Sequence, residues 1–178
     1  MAPDTAFVVG CAEDLPFADR TFDLVAAAGA LNSVDCGRFL PAAARVLTIR
    51  GSLVIYDFST GRRMAGESRL DAWFASFESR YPFPSAGALD VRAMDFAGAG
   101  LQLEHYEELE VGVPLTATSY LAYVLSETNV EVAISEGVLE SDVRRWCEPA
   151  LGALFGGGSR DVLFEAYIAC VGHAVRAC

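Results

Sequence analysis

The sequence predicts an α/β protein with three layers, a mostly parallel sheet and an antiparallel last strand. Two observations carry that prediction. Short apolar runs at residues 6–9, 22–31 and 52–58 are separated by a polar loop and by a helical pattern, and such alternation builds parallel strands joined by right-handed crossovers. The run at 22–31 also lacks polar alternation, as expected of a strand covered on both faces. With 178 residues, 53% of them hydrophobic, the chain can bury one sizeable core, and it is read as a single domain over 1–178.

Each element has a local reason. Residues 6–9 form a short apolar run closed by Gly10, and residues 13–20 are a polar loop broken by Pro16. Asp35 can cap a helix over 36–47 that places Phe39, Ala43, Val46 and Leu47 on one face. Pro41 is expected to confine the start of that helix. Gly51 closes a turn, and residues 52–58 read as a strand rich in Leu, Val, Ile and Tyr. A helix over 69–81 carries Leu70, Trp73, Phe74 and Phe77 as a core stripe, and Pro82 and Pro84 stop it. Residues 89–99 are expected to be helical up to Gly100. Further along, 101–113 reads as a strand, 116–126 as a helix and 141–155 as a helix with Val143, Trp146, Ala150 and Leu154 on one face. Gly156, Gly157 and Gly158 break the chain before a closing strand over 162–171.

Composition excludes several function classes. A net charge of −11 argues against a nucleic-acid partner, which needs clustered basic residues. No apolar run approaches the roughly 18 residues of a membrane span, and no secretory signal pattern is visible at the start. Five cysteines, scattered and without a CxxC pair or Cys/His cluster, suit a reducing, cytoplasmic setting rather than a disulfide framework or metal site. Nucleophile-elbow, HExxH and phosphate-loop motifs are absent. His105 and His173 are isolated, and Glu107, Glu108 and Glu110 read as a solvated strand face.

The stretch VVGCAEDLPFADRTFDLVAAAGALNSVD, residues 8–35, resembles the small-molecule type of class I S-adenosylmethionine-dependent methyltransferases. Ala-Glu, Leu-Pro-Phe, Phe-Asp and Arg45-Val46-Leu47 stand at that family's spacing, and the strand LVIYDF continues the match. The resemblance implies a Rossmann-like methyltransferase sheet, S-adenosylmethionine as cofactor and a small-molecule methyl acceptor. It places Cys11, Ala12 and Glu13 beside the adenine, and Ala28, Gly29 and Ala30 along the methionine part. Asp57 ends a strand and can face the crevice on the acceptor side or serve only as a turn residue, Asn32 reads the same way, and no residue identifies itself as catalytic. Cys11 stands where the family has an Asp that accepts from the adenine amino group, and a thiol is a weak acceptor. As a residue type, Cys11 reads by default as a small buried core thiol. Thr48-Ile49-Arg50-Gly51 replaces the family's Lys-Pro-Gly-Gly.

One departure is larger. The family opens with a strand, a glycine-rich GxGxG turn and a helix, whose backbone N–H groups hold the cofactor. Nothing before Ala6 corresponds to them. The chain therefore reads as N-terminally truncated, with the strands equivalent to 1 and 2 of the 3-2-1-4-5-7-6 order missing. Residues 22–31 then become an exposed apolar sheet edge, a surface that invites a second copy or another partner. Alternatively, the 6–9 run pairs directly with the 22–31 strand in a reduced five-stranded sheet. Two functions follow: a small-molecule methyltransferase impaired as an isolated chain, or a non-catalytic remnant that oligomerises or binds a partner through that edge.

Overall fold

The computed structural model describes residues 5–84 and 89–174. Its strands are β1 (Phe22–Ala28), β2 (Leu47–Phe58), β3 (Arg63–Met64), β4 (Leu101–Leu115) and β5 (Arg160–His173). Its α-helices are α1 (Cys36–Val46), α2 (Arg69–Arg80), α3 (Ala117–Leu125), α4 (Thr128–Ser135) and α5 (Glu140–Phe155). Chain contacts divide it into a first unit, Met1–Phe58 with Ala88–Glu108 and Tyr167–Cys178, and a second, Ser59–Gly87 with Leu109–Ala166.

The sheet follows the order β1-β2-β5-β3, and β4 also pairs with β5. The path β1-β2-β5-β4 is the 4-5-7-6 portion of the order expected from the resemblance. β1 and β2 run parallel, in register from Leu24↔Ser52 to Ala28↔Tyr56. The last strand is antiparallel to β3, through Arg63↔Leu163 and Met64↔Val162. β1 ends the path, so one of its edges has no partner strand among the described residues, and Leu24 on it is 59% exposed.

In the first unit, Asp35 caps α1 by accepting from the Gly37 N–H at 3.0 Å. Phe39, Leu40, Ala43 and Val46 of α1 are buried, and the first three pack with Leu53 and Ile55 of β2 and with Ala169 and Val171 of β5. Burying a Phe or Leu side chain contributes roughly 1.5–3 kcal/mol, which is what holds the helix on the sheet. Pro41 does not confine the helix start. It lies inside α1, where its missing N–H costs a single bond, to the Gly37 carbonyl in the first turn.

The second unit has its own core. Leu70, Trp73, Phe74 and Phe77 of α2 are buried as the spacing predicts, with Tyr120, Val143, Cys147 and Phe155 around them. The Tyr120 hydroxyl donates to the Gly61 carbonyl at 2.7 Å, and the Gly61 N–H donates to the Tyr123 hydroxyl at 3.2 Å. Those two bonds pin the turn after β2, where a Cβ on Gly61 would come within 2.5 Å of the Phe164 ring. In α5 the buried stripe is Val143, Cys147, Leu151, Leu154 and Phe155, with Trp146 and Ala150 only partly buried beside it.

Three expectations are corrected. Residues 6–9 form no strand: a strand needs a neighbour for its N–H and C=O groups, and none of the described residues supplies one. Phe7, Val8 and Val9 are exposed instead, Val9 fully. Residues 89–99 contain two short 3-10 turns, Val91–Ala93 and Ala97–Ala99, rather than a helix. Local side-chain bonds explain it, because Asp90, the cap of the first turn, and Asp95 accept from the N–H groups of Arg92 and Gly98 and turn the backbone locally. The run at 22–31 ends as a strand at Ala28, where Gly29 turns with φ +58°. Helix α4 and strand β3 have no counterpart in the sequence reading. No helix among the described residues is long and apolar enough to cross a membrane.

Candidate functional site

Parallel strands end together, so β1 and β2 deliver their carboxyl ends to one edge of the first unit, the usual place for a ligand in an open α/β sheet. Gly29 leaves β1 in the left-handed region, and its N–H donates to the Tyr56 carbonyl at 2.9 Å. A Cβ there would stand 3.4 Å from the Asp57 Oδ1. The next turn, Leu31–Ser33, anchors through buried Leu31 and sets Asn32 outward. Asn32 Nδ2 then donates to the Asp57 Oδ2 at 3.3 Å, while Asp57 Oδ1 accepts from the Phe58 N–H at 2.8 Å. Gly29, Asn32 and Asp57 are thus brought together. Ala28 and Ala30 flank Gly29 as small exposed residues.

The loop before β1 is held in two places. Glu13 Oε1 accepts from the Asp35 N–H at 2.9 Å. Arg45 donates to the Leu15 and Phe17 carbonyls at 2.7 and 2.6 Å and pairs with Asp19 at 3.0 Å. Arg45 belongs to the Arg-Val-Leu run that carries the resemblance, and it serves as the clamp of this loop. Cys11 and Asp14 form an isolated bridge that narrows the turn around Ala12 and Glu13. Cys11 is exposed, which corrects the buried-thiol reading, and Ala12 packs against the first core. Glu13 joins this loop to Asp35, three residues after Asn32, so both predicted groups of residues meet the same short connection between β1 and α1.

The backbone N–H of Asp35 holds the Glu13 carboxyl below its usual value, with help from Arg38. A carboxylate with a lowered folded pKa stabilises above the unfolded value of 4.5 and loses that contribution as pH falls through the folded value. The loop at 11–14 is therefore expected to loosen only below the ordinary carboxylate range. In NMR, the Asp35 amide shift should titrate below pH 4.5, and Glu13→Gln should remove that step. An unchanged titration in the variant would show that Asp35 senses another group.

Sequence reasoning passed over Tyr167. It lies on β5, the strand next to β2, and its ring stacks on Tyr106 of β4 with centroids 5.8 Å apart. Arg92 lies 5.0 Å over the Tyr106 ring. Burial, then the nearby Asp57 charge, pushes the Tyr167 hydroxyl up. A separate cavity of about 910 Å³ in the second unit is lined by Arg80, Tyr81, Phe83, Asn129, Val138 and Asp142 among others. None of the sequence-predicted residues lines it.

The strand order and the ends of β1 and β2 give a Rossmann-like α/β fold, and residues 2–55 match the family model described as methyltransferase domain. That stretch holds β1, α1 and most of β2, with Cys11–Glu13, Ala28–Ala30 and Asn32, and stops short of Asp57. Among solved structures, the chain resembles a candidate type II methyltransferase from Anaeromyxobacter dehalogenans at 19% identity and a TM-score of 0.68, over 97% of this chain and 73% of that one. A candidate methyltransferase from Bacillus halodurans aligns at 19% identity and a TM-score of 0.48, over 93% and 76% of the two chains. The YcgJ protein of Bacillus subtilis aligns at 20% identity and a TM-score of 0.46, over 93% and 70%. No curated protein sequence matches the chain.

Proposed function

We propose that the protein is an S-adenosylmethionine-dependent methyltransferase acting on a small molecule, a cytoplasmic protein with no nucleic-acid partner. The observation that carries this reading is the joining of Gly29, Asn32 and Asp57 at the carboxyl ends of the parallel pair β1–β2. The cofactor would lie against Cys11, Ala12 and Glu13 and along Ala28, Gly29 and Ala30, with the acceptor on the side of Asn32 and Asp57. When bound, it supplies an electrophilic methyl group on a sulfonium. The protein's own part is to orient two reactants and bring them together, a contribution that reaches several kcal/mol.

The residues present fit part of that cofactor. Gly29 lets backbone approach closely because it has no Cβ, and Cys11 stands exposed at the start of the turn before Glu13. Among the described residues, no strand leads through a glycine-rich turn into a helix. Gly98 and Gly100 precede β4, and Gly156–Gly158 lie between α5 and β5. The open edge of β1, with Leu24 exposed, favours a second reading: a docking module that pairs through this edge with another copy.

Calorimetric titration with S-adenosylmethionine separates the two. Saturable binding weaker than micromolar, lost in Gly29→Val, is expected. Micromolar affinity would overturn the partial site. Absence of saturable binding at millimolar cofactor would leave the docking reading in its place.

A further inference from the structure

We propose that Asp57, Asn32 and the ring of Tyr167 form an acceptor subsite for a small amine carried on an apolar or aromatic body. The inference rests on the methyltransferase reading above and names its acceptor class. Asp57 ends β2 beside Gly29, so whatever it holds lies next to the segment proposed for the methyl donor. A carboxylate can accept about four hydrogen bonds. Asp57 accepts one at 2.8 Å from Phe58 and a long one at 3.3 Å from Asn32. All thirteen Lys+Arg residues of the chain are arginine, and among the described residues none forms an ion pair with Asp57. The two arginines of the first unit that form ion pairs are engaged elsewhere, Arg45 with Asp19 and Arg92 with Asp90 and Glu108. Asp57 therefore keeps both charge and acceptor capacity for a donor from outside.

Tyr167 supplies the apolar wall. The Ser59 N–H donates to the Glu165 carbonyl at 2.7 Å; Asp57 stands two residues before Ser59 and Tyr167 two residues after Glu165, close enough for the Asp57 charge to act on the Tyr167 hydroxyl. Tyr106 and then Arg92 occupy one side of the Tyr167 stack. The side toward β2 is the Asp57 side. The Tyr167 hydroxyl has no hydrogen-bond partner among the described residues, whereas the Tyr106 hydroxyl donates to Glu108 at 3.1 Å. An aromatic face beside a carboxylate attracts an ammonium group or an N–H-bearing ring. Before transfer the bound ammonium would give a proton to Asp57 or to water. Its freed lone pair would then form the N–C bond as the donor's C–S bond breaks and leaves its electron pair on sulfur.

The test needs no methyl donor. Calorimetry on the full chain compares benzylamine, benzyl alcohol and benzoate, a cation, a neutral analogue and an anion of similar shape. Benzylamine is expected to bind about tenfold more tightly than benzyl alcohol, the scale of one charge-assisted hydrogen bond, and benzoate least. Asp57→Asn should erase the preference, Tyr167→Ala should weaken both benzylamine and benzyl alcohol, and Tyr167→Phe should weaken neither. Glu107→Gln on exposed β4 controls for the general negative charge and should change nothing. Equal binding of the three probes, or a preference that survives Asp57→Asn in a folded variant, overturns the subsite. Amine binding that depends on Asp57 in a chain that fails to bind S-adenosylmethionine would leave the subsite standing and remove the methyltransferase reading.

Discussion

Phe77→Ala is expected to destabilise the second unit by about 3–5 kcal/mol, the usual range for truncating a buried phenylalanine. Phe77 is fully buried. It stacks on Trp73 at 5.5 Å and touches the rings of Phe74 and Tyr81 at 5.6 and 5.4 Å. Trp146 stands 6.3 Å away. Both of the chain's tryptophans thus border the cavity that the substitution would open, and rings held on two helices, α2 and α5, cannot all collapse into it. Tryptophan fluorescence therefore reads this unit directly. Urea unfolding followed at that emission should shift strongly to lower denaturant. A loss under about 1 kcal/mol would mean that the cluster repacks freely, contrary to the close packing of protein interiors.

Gly51→Val is expected to cost about 1–3 kcal/mol in the first unit, the overpacking range. The register of β1 on β2 jumps from Phe22↔Leu47 to Leu24↔Ser52, so β2 carries a bulge at this point. Gly51 sits in that bulge, where a Cβ would come within 2.9 Å of the Phe22 carbonyl oxygen and 3.1 Å of the Thr48 carbonyl oxygen. Those atoms are backbone and cannot rotate aside. A glycine inside a strand marks such close approach. The bulge sets the register that brings Ala28 beside Tyr56, and with it the Gly29 turn against Asp57. Amide hydrogen exchange should therefore speed up along β1 and the first half of β2 in the variant. Wild-type protection in both would show that the pair shifts at little cost.

The candidate site was partly legible in the chain itself. Glu13, Gly29, Asn32 and Asp57 stand at spacings that the resemblance picks out, and the structure ties them to one connection through Asp35 and Asn32. Tyr167 was not legible. It lies 110 residues after Asp57, and no local pattern shows that two strands so distant in sequence become neighbours. The clamp formed by Arg45 was hidden for the same reason, since its partners are carbonyl oxygens, which every residue carries.

The sequence by itself determined the elements whose cause is local. The Asp35 cap, the stripe on α2, the long apolar strands and the glycine stop at Gly156 depend on spacing and backbone preference within a few residues. Only the tertiary structure decided where those preferences yield to partners. Residues 6–9 have the composition of a strand but no neighbour to complete its hydrogen bonds, and residues 89–99 have a helical pattern but aspartates that bend it into short turns. The division of the apolar residues into two cores was likewise decided there, because burial depends on which faces meet rather than on which residues are apolar.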